Sequence, residues 1–435
     1  MHANHRATAG VIALFTGGLL AGAWTATAAA DNTTDPYAPV DTLVRVLGLV
    51  QSRYVDDLPT DQLVSSAIDG MVDHLDPHSQ WMDANTWRAM QNETWGTYTG
   101  IGVEVKLTEH GAQVTRVMPG SPASRDGVSV GDTILSIDGR ALDGSDQGAV
   151  EGALLGPRGE AATLQVLRAG ATAPATIQTV RDQVRTPAVS SVRLDVDVVY
   201  AHIAQFQEGA AAELTAALDK FSKDGGFKAI VLDLRDDPGG LLKEAISVTD
   251  LFLDTGVIVS TWGRVESERQ EHRATPGGYT QPVIVIVNGL SASASEVVAG
   301  ALQDTGRGKL VGTHTYGKGT VQQIFEHRDG SALKLTVGRY YTPSGKPVAT
   351  KEGRAPDVLV PWPSDGSPRA RLMDDLVALD AATPKRAEML ALVAQLPDVE
   401  LKALHTDIPW EASVPERLAH DPQLAAALDL AHKAR

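Results

Sequence analysis

The sequence predicts a multidomain α/β protein, and three observations predict it. Two continuous apolar runs of strand length, Phe227-Lys-Ala-Ile-Val-Leu-Asp-Leu234 and Pro282-Val-Ile-Val-Ile-Val-Asn288, each pass through a glycine-bearing turn into a helical pattern. Strand–turn–helix units of this kind build a sheet flanked by helices. Residues 92–170 read instead as short alternating strands separated by turns rich in Gly, Pro and Asp. Residues 40–90 place apolar side chains at helical spacing.

The elements follow in order. Residues 1–6 are mildly basic, residues 9–24 are apolar, and Thr25-Ala-Thr-Ala-Ala-Ala30 puts small residues before Asp31. This is the pattern of a secretory signal peptide (1–30), too short and Gly-rich for a comfortable membrane span. An uncleaved signal would act as an inner-membrane anchor. A helical N-terminal region (31–91) carries a stripe of Leu43, Val44, Leu47, Leu49 and Val50, then a second helix over 62–75 ending at Asp76-Pro77. The β-rich module (92–170) contains strands at 101–106, 112–117 and 162–168, and a turn–strand–turn over 131–139. The α/β core (171–360) has strands at 227–234 and 282–288, helices at 241–253 and 292–302, and further strands near Lys309 and Leu333. A helical region rich in Ala and Leu closes the chain (361–435).

Composition excludes several functions. The 435 residues hold 38 Lys+Arg against 54 Asp+Glu, a net charge of −16, which argues against nucleic acid as a partner because phosphate binding needs a basic surface. With no cysteine, thiolate nucleophiles, thiolate metal sites and disulfides are ruled out. The histidines are scattered without a His-Glu-x-x-His run, so no metal site is expected. Asp76-Pro-His-Ser79 reads as a turn at a helix end.

Three segments carry the chemistry. Ser291-Ala-Ser-Ala-Ser-Glu296 follows a buried strand and opens a helix, where unpaired N–H groups and the helix dipole can meet a developing oxyanion. Serine is also a preferred helix cap. In Tyr316-Gly-Lys-Gly-Thr-Val-Gln322, a lysine between glycines can serve as a general base if burial lowers its pKa, or can be an exposed turn residue. Gln322 either orients that amine or faces solvent from a strand. The turn Asp236-Asp-Pro-Gly-Gly240 can present unhindered N–H donors. In the β-rich module, Gly100-Ile-Gly-Val103 can turn amides toward a carboxylate beside an open strand edge. No Gly-x-Ser-x-Gly elbow surrounds a serine of the core.

Taken together, and in this order, Leu75-Asp-Pro-His-Ser79, Gly100-Ile-Gly-Val103, Gly120-Ser-Pro-Ala123, Asp233-Leu-Arg235, Pro238-Gly-Gly240, Ser291 to Glu296, Gly317-Lys-Gly319, Val321-Gln322 and Tyr341-Thr-Pro-Ser-Gly345 resemble the carboxyl-terminal processing peptidases, or tail-specific proteases, over residues 54–360. The resemblance implies a crotonase/ClpP-like α/β protease core with an inserted PDZ domain (the β-rich module) and a helical N-terminal region. It implies Ser293 as nucleophile, Lys318 as base 25 residues later, and Gln322 as support for the lysine. The oxyanion would be held by the N–H of Ala294 and of Gly239 or Gly240. Gly100, Ile101, Gly102 and Val103 would hold the substrate's C-terminal carboxylate.

One departure is visible: Asp237 stands where the family usually has Asn, and is expected to face solvent. The resemblance thus implies an exported, periplasmic serine endopeptidase that grips protein or peptide substrates by their C-terminal tails and needs no cofactor or metal. It leaves open an adaptor or activator protein and an oligomer. The alternatives are a catalytically silent PDZ scaffold and, more remotely, an acyl-CoA enzyme.

Overall fold

The computed structural model describes residues 38–142, 147–348, 350, 352–361, 414–415, 418 and 421–434. The expected signal peptide and residues 362–413 of the C-terminal region lie outside the described residues. The chain divides into two units, residues 1–67 and 68–435.

In the first unit, α1 (Ala38–Arg53) takes the expected helical form, and α2 (Thr60–Val72) begins there. The α1 stripe is exposed at Leu43, Val44 and Leu49.

The second unit opens with the turn at Asp76, then β1 (Gln80–Met82), α3 (Ala84–Thr94) and β2 (Thr97–Gly100). Asp83 caps α3 by accepting from the Asn85 and Thr86 amides, satisfying donors the helix cannot pair itself. The β-rich module follows: β3 (Val103–Thr108), β4 (Gly111–Val117), the short helix α4 (Pro122–Arg125), β5 (Thr133–Ile137), β6 (Arg140–Ala141), α5 (Gln147–Leu154), β7 (Ala161–Leu167) and β8 (Ala175–Val180). Its sheet runs β3-β4-β5-β7-β8, with β6 beside β5. β8 lies past residue 170 and pairs with β7 throughout. Alternating inward residues such as Val114, Ile134, Leu164 and Val166 form a closed core of their own. After it, β9 (Asp182–Arg185) pairs antiparallel with β2. The entering and leaving strands are therefore adjacent, and the module is an insertion.

The remaining elements are β10 (Val189–Arg193), β11 (Val198–Ile203), α6 (Ala210–Lys223), β12 (Ala229–Asp233), α7 (Leu242–Asp250), β13 (Val257–Gly263), β14 (Gln270–Arg273), β15 (Val283–Val287), α8 (Ala294–Asp304), β16 (Gly308–Gly312), β17 (Thr320–Glu326), β18 (Ala332–Tyr341), β19 (Val358–Leu359) and a last helix, α9 (Pro422–Lys433). The central sheet has the order β10-β11-β12-β15-β16-β19 and is parallel from β11 onward.

Parallel strands added one after another by right-handed crossovers put every crossover helix on one face. Accordingly α6, α7 and α8 pack against Val199, Ile230, Leu232 and Val285. The alternate residues Tyr200, Val231, Ile284 and Ile286 point to the other face, where Leu424, Ala427 and Ala431 of α9 cover them. A sheet covered on both faces explains why β12 and β15 are buried at every residue. A second sheet sets β18 against β1, β13 and β17, with β14 beyond β13.

Candidate active site

The turns after β12, β15 and β16 all leave the carboxyl edge of the central sheet, where open α/β sheets place their ligand sites. They bring the turn 236–240, the segment 291–296 and the loop 313–318 together.

The three serines have different roles. Ser291 Oγ donates to Leu234 O at 2.7 Å and Ser295 Oγ to Asp237 O at 3.0 Å, so both tie the helix start to the β12 turn. Ser293 lies between them at the N-terminus of α8 with φ 55° and ψ −109°, and contributes no side-chain cap hydrogen bond. Such a backbone is strained for a residue with a Cβ and persists only where the surroundings enforce it. The outer serines therefore hold the β12 turn rather than cap α8, and Ser293 between them is 8% exposed.

Glu296 enforces the arrangement. Wholly buried, its carboxyl accepts from Ser293 N at 2.9 Å, Thr315 Oγ1 at 2.6 Å, Gly317 N at 2.6 Å and Lys318 N at 2.8 Å. One side chain thus fastens the serine segment to the lysine loop. Burial pushes its carboxyl up to about 7 against the opposing effect of those four donors.

Burial lowers the Lys318 ammonium to about 8, with Lys334 adding repulsion while Glu296 and Asp76 oppose it. The loop lysine is therefore sheltered rather than an exposed turn residue. Gln322 lies in β17, and its Nε2 donates to Thr320 Oγ1 at 2.8 Å and Thr336 Oγ1 at 3.3 Å. Among the hydrogen bonds of the described residues there is none from Ser293 Oγ to Lys318 Nζ, nor from Lys318 Nζ to Gln322.

Thr336 also donates to Asp76 Oδ1 at 3.1 Å, and its amide donates to Ser79 Oγ at 3.1 Å. Asp76 accepts in addition from the amides of His78 and Ser79 and from Ser79 Oγ. Burial, and then the charge of Lys318, hold the His78 imidazole down at about 4. The helix-end turn at 76–79 exists as expected, but it also lies beside the lysine and behind Gln322.

At the glycine turn, a Cβ built on Gly239 (φ 103°) would lie 2.7 Å from Ala292 O and 2.9 Å from Ala294 N and Ser293 Cβ. No other residue fits so close to the helix start. Gly240 (φ 140°) is likewise pressed against Phe206 O. Asp237 does not face solvent: it is 0% exposed, because its carbonyl is held by the Ala292 amide and Ser295 Oγ, which turns the side chain inward. Its Oδ1 accepts the Gly239 N–H at 2.8 Å. That donor is committed, leaving the Gly240 and Ala294 amides as candidate oxyanion donors.

In the inserted module β3 is an edge strand, paired among the described residues with β4 alone, and an edge strand is where a peptide can add as a further strand. Gly100, Ile101, Gly102 and Val103 form the loop into it. The Ile101 amide donates to Leu154 O at 3.3 Å, Gly102 O accepts from Met118 N and Ser121 Oγ, and a Cβ on Gly102 (φ 86°) would lie 2.2 Å from Ser121 Cβ.

Comparison with known proteins places this architecture. Over 340 residues the chain is 40% identical to the carboxy-terminal-processing protease of Bartonella bacilliformis, covering 77% of each protein. The chain belongs to the carboxy-terminal processing protease family. It is also 32% identical over 325 residues to the carboxy-terminal processing protease CtpA of Bacillus subtilis, covering 74% of this chain and 69% of that protein. The profile of Peptidase family S41 matches residues 197–360, that of the PDZ domain residues 99–179, and that of the activating protease CtpB N-terminal domain residues 23–86. Among solved structures, the photosystem II D1 C-terminal processing protease is 26% identical with a TM-score of 0.43, covering 78% of this chain and 98% of that one.

In this carboxy-terminal processing protease, sequence reasoning assigned no role to Glu296, Thr315, Thr336 or Lys334. Only Glu296 left a signal, as the acidic third residue of a capping box after Ser293. The others lie on strands and loops whose pairing brings them to the site.

Proposed function

We propose that this chain is a serine endopeptidase in which Ser293 is the nucleophile and Lys318 the general base, acting on polypeptides held by their C-terminal tails in the PDZ module. The observation that carries the reading is the strained Ser293: its neighbours' hydroxyls are consumed by the β12 turn, while Glu296 joins its own amide to the lysine loop. Neutral Lys318 takes the Ser293 proton as Oγ attacks the scissile carbonyl. The Gly240 and Ala294 amides hold the oxyanion. Lys318 then protonates the leaving amine, and water hydrolyses the acyl-enzyme. Gln322 moves from its threonine partners to the amine when substrate is bound, since catalytic hydrogen bonds often tighten only in the complex.

The central sheet, with paired amides at its carboxyl edge, fits a crotonase/ClpP-like core. The domain division expected from the sequence, 31–91, 92–170, 171–360 and 361–435, is kept with one change: the module runs on through β8 to residue 180 and the core begins after it. The tail enters as a strand on β3 with its carboxylate at the 100–103 loop. The basic, apolar and small-residue pattern of residues 1–30 supports export to the periplasm, and the match to an activating-protease N-terminal domain supports an adaptor or activator acting there.

The competing reading is a silent tail-binding scaffold, which the missing Ser293–Lys318 hydrogen bond favours. Mass-spectrometric cleavage of a flexible polypeptide with an apolar C-terminus, free or amidated, separates the two. Cleavage by the wild type, its loss in Ser293→Ala with tail binding kept, and weakening by amidation support the peptidase. Tail binding with no cleavage and no acylation of Ser293 supports the scaffold.

A further inference from the structure

Asp237 is a carboxyl group sealed inside the turn that faces the nucleophile. Its residue is 0% exposed, Oδ1 takes the Gly239 N–H at 2.8 Å, and Oδ2 is buried with no hydrogen-bond partner. The ionisable groups of the elements packed about it are engaged elsewhere. Asp233 and Arg235 pair with each other, and Arg235 also with Asp421. Asp236 receives the Asn288 amide, and Glu296 receives its four donors from the serine and lysine segments. Among the described residues no cation is hydrogen-bonded to Asp237. The two donors beside it, the Gly239 N–H and the Ser295 hydroxyl, favour the ionised form but are both neutral, so the carboxylate is a costly species in this dry interior and the neutral acid the less costly one.

We propose that Asp237 is a positioning residue that works as a neutral carboxylic acid, its carbonyl oxygen orienting the Gly239–Gly240 turn, and that its ionisation disables the site. Burial drives its carboxyl well above the ordinary range, in the direction this requires. Once ionised, it would grip the Gly239 N–H more tightly and set a negative charge beside the position where the oxyanion develops. The charge opposes the transition state and not substrate binding, so the loss belongs to kcat. The group therefore acts on the alkaline side: activity falls as pH rises through its pKa, whereas the Lys318 base produces a rising limb. Asp237→Asn keeps the shape and the acceptor and cannot ionise.

This inference rests on the Ser293 peptidase reading, and the test separates the two. The pH dependence of kcat and KM is measured for the wild type, Asp237→Asn and Ser293→Ala of the full chain. The expected result is a bell-shaped kcat profile for the wild type and a single rising limb to a plateau for Asp237→Asn, with a gain of about tenfold or more at the alkaline end, KM tracking in both. Superimposable wild-type and Asn profiles, with Ser293→Ala inactive, overturn the Asp237 role alone; an active Ser293→Ala overturns the peptidase reading and this inference with it. A readout independent of turnover is the Tm difference between Asp237→Asn and wild type. Because a raised carboxyl contributes stability that is lost as pH rises through its folded pKa, that difference widens with pH. A constant difference would refute the buried neutral acid.

Discussion

Ser293, Lys318 and Glu296 show how neighbouring residues turn ordinary side chains into candidate catalysts. Lys318→Arg should be inactive despite keeping the charge, because a guanidinium does not release a proton in this range; a cleavage assay of that variant checks it. Since burial lowers Lys318 to about 8, kcat should rise with pH through about 8 as the amine becomes neutral. Glu296 is the more sensitive residue. Replacing it with Gln puts an amide donor where the carboxyl now accepts four donors, leaving buried groups unpaired. The expected cost is ~1–3 kcal/mol of stability, with a drop in kcat of about tenfold or more because the serine and lysine segments lose their common anchor. Urea denaturation and steady-state kinetics read the two effects separately. The pH dependence also has a defined sign. The folded carboxyl, at about 7, binds its proton more tightly than the ordinary 4.5 of the free group, so its stabilisation is complete below about 4.5 and is lost as pH rises through about 7. Glu296→Gln should flatten that loss.

At the scale of elements, the junctions matter more than the elements they join. β12 and β15 are interchangeable as buried strands, but their turns interlock through Ser291, Ser295 and the Asp237 carbonyl. Gly239→Ala tests the junction. Its methyl would come within 2.7 Å of Ala292 O, and backbone cannot swing aside as a side chain can. The variant should lose activity and stability together, by roughly 1–3 kcal/mol in the latter, measured by thermal unfolding beside the kinetics. The turn at 76–79 teaches the same lesson. Local pattern identified it as a turn, and the pairing of β1 with β18 then placed it beside Thr336 and Lys334.

At the scale of the whole second unit, the last helix belongs to the core. α9 covers the face of the central sheet that the crossover helices leave bare, and its cap residue Asp421 receives Arg235 Nη1 at 3.1 Å and Nη2 at 2.8 Å while accepting the Leu424 amide. Arg235 in turn binds Asp233, whose Oδ2 also receives Tyr200 OH. Asp421→Ala should destabilise the protein by about 3 kcal/mol, the lower part of the range for breaking a buried ion pair, because Asp233 still neutralises the guanidinium. A urea midpoint unchanged from wild type would contradict that role for the C-terminus.

The chain's own patterns were sufficient to name a mixed α/β protein, its buried strands, the presence of a β-rich module and, through motif order, the family, while the module's end was set too early because β8 lies past residue 170. Apolar period and glycine turns are properties of neighbours in sequence. Ser293 and Lys318 stood out only through the resemblance, because the segment of each taken alone reads equally as a helix cap or a turn. Only the tertiary structure decided which way Asp237 points, that the Gly239 amide is already taken, that Gln322 rests on Thr320 and Thr336, and that α9 closes the sheet. The burial of Asp237 and the closing of the sheet by α9 depend on contacts between residues tens to hundreds of positions apart. Even the short-range bonds from Gly239 to Asp237 and from Gln322 to Thr320 depend on which way each side chain is turned by what packs on it. Side-chain burial and competition for a hydrogen bond are set by what packs opposite, which no local pattern contains.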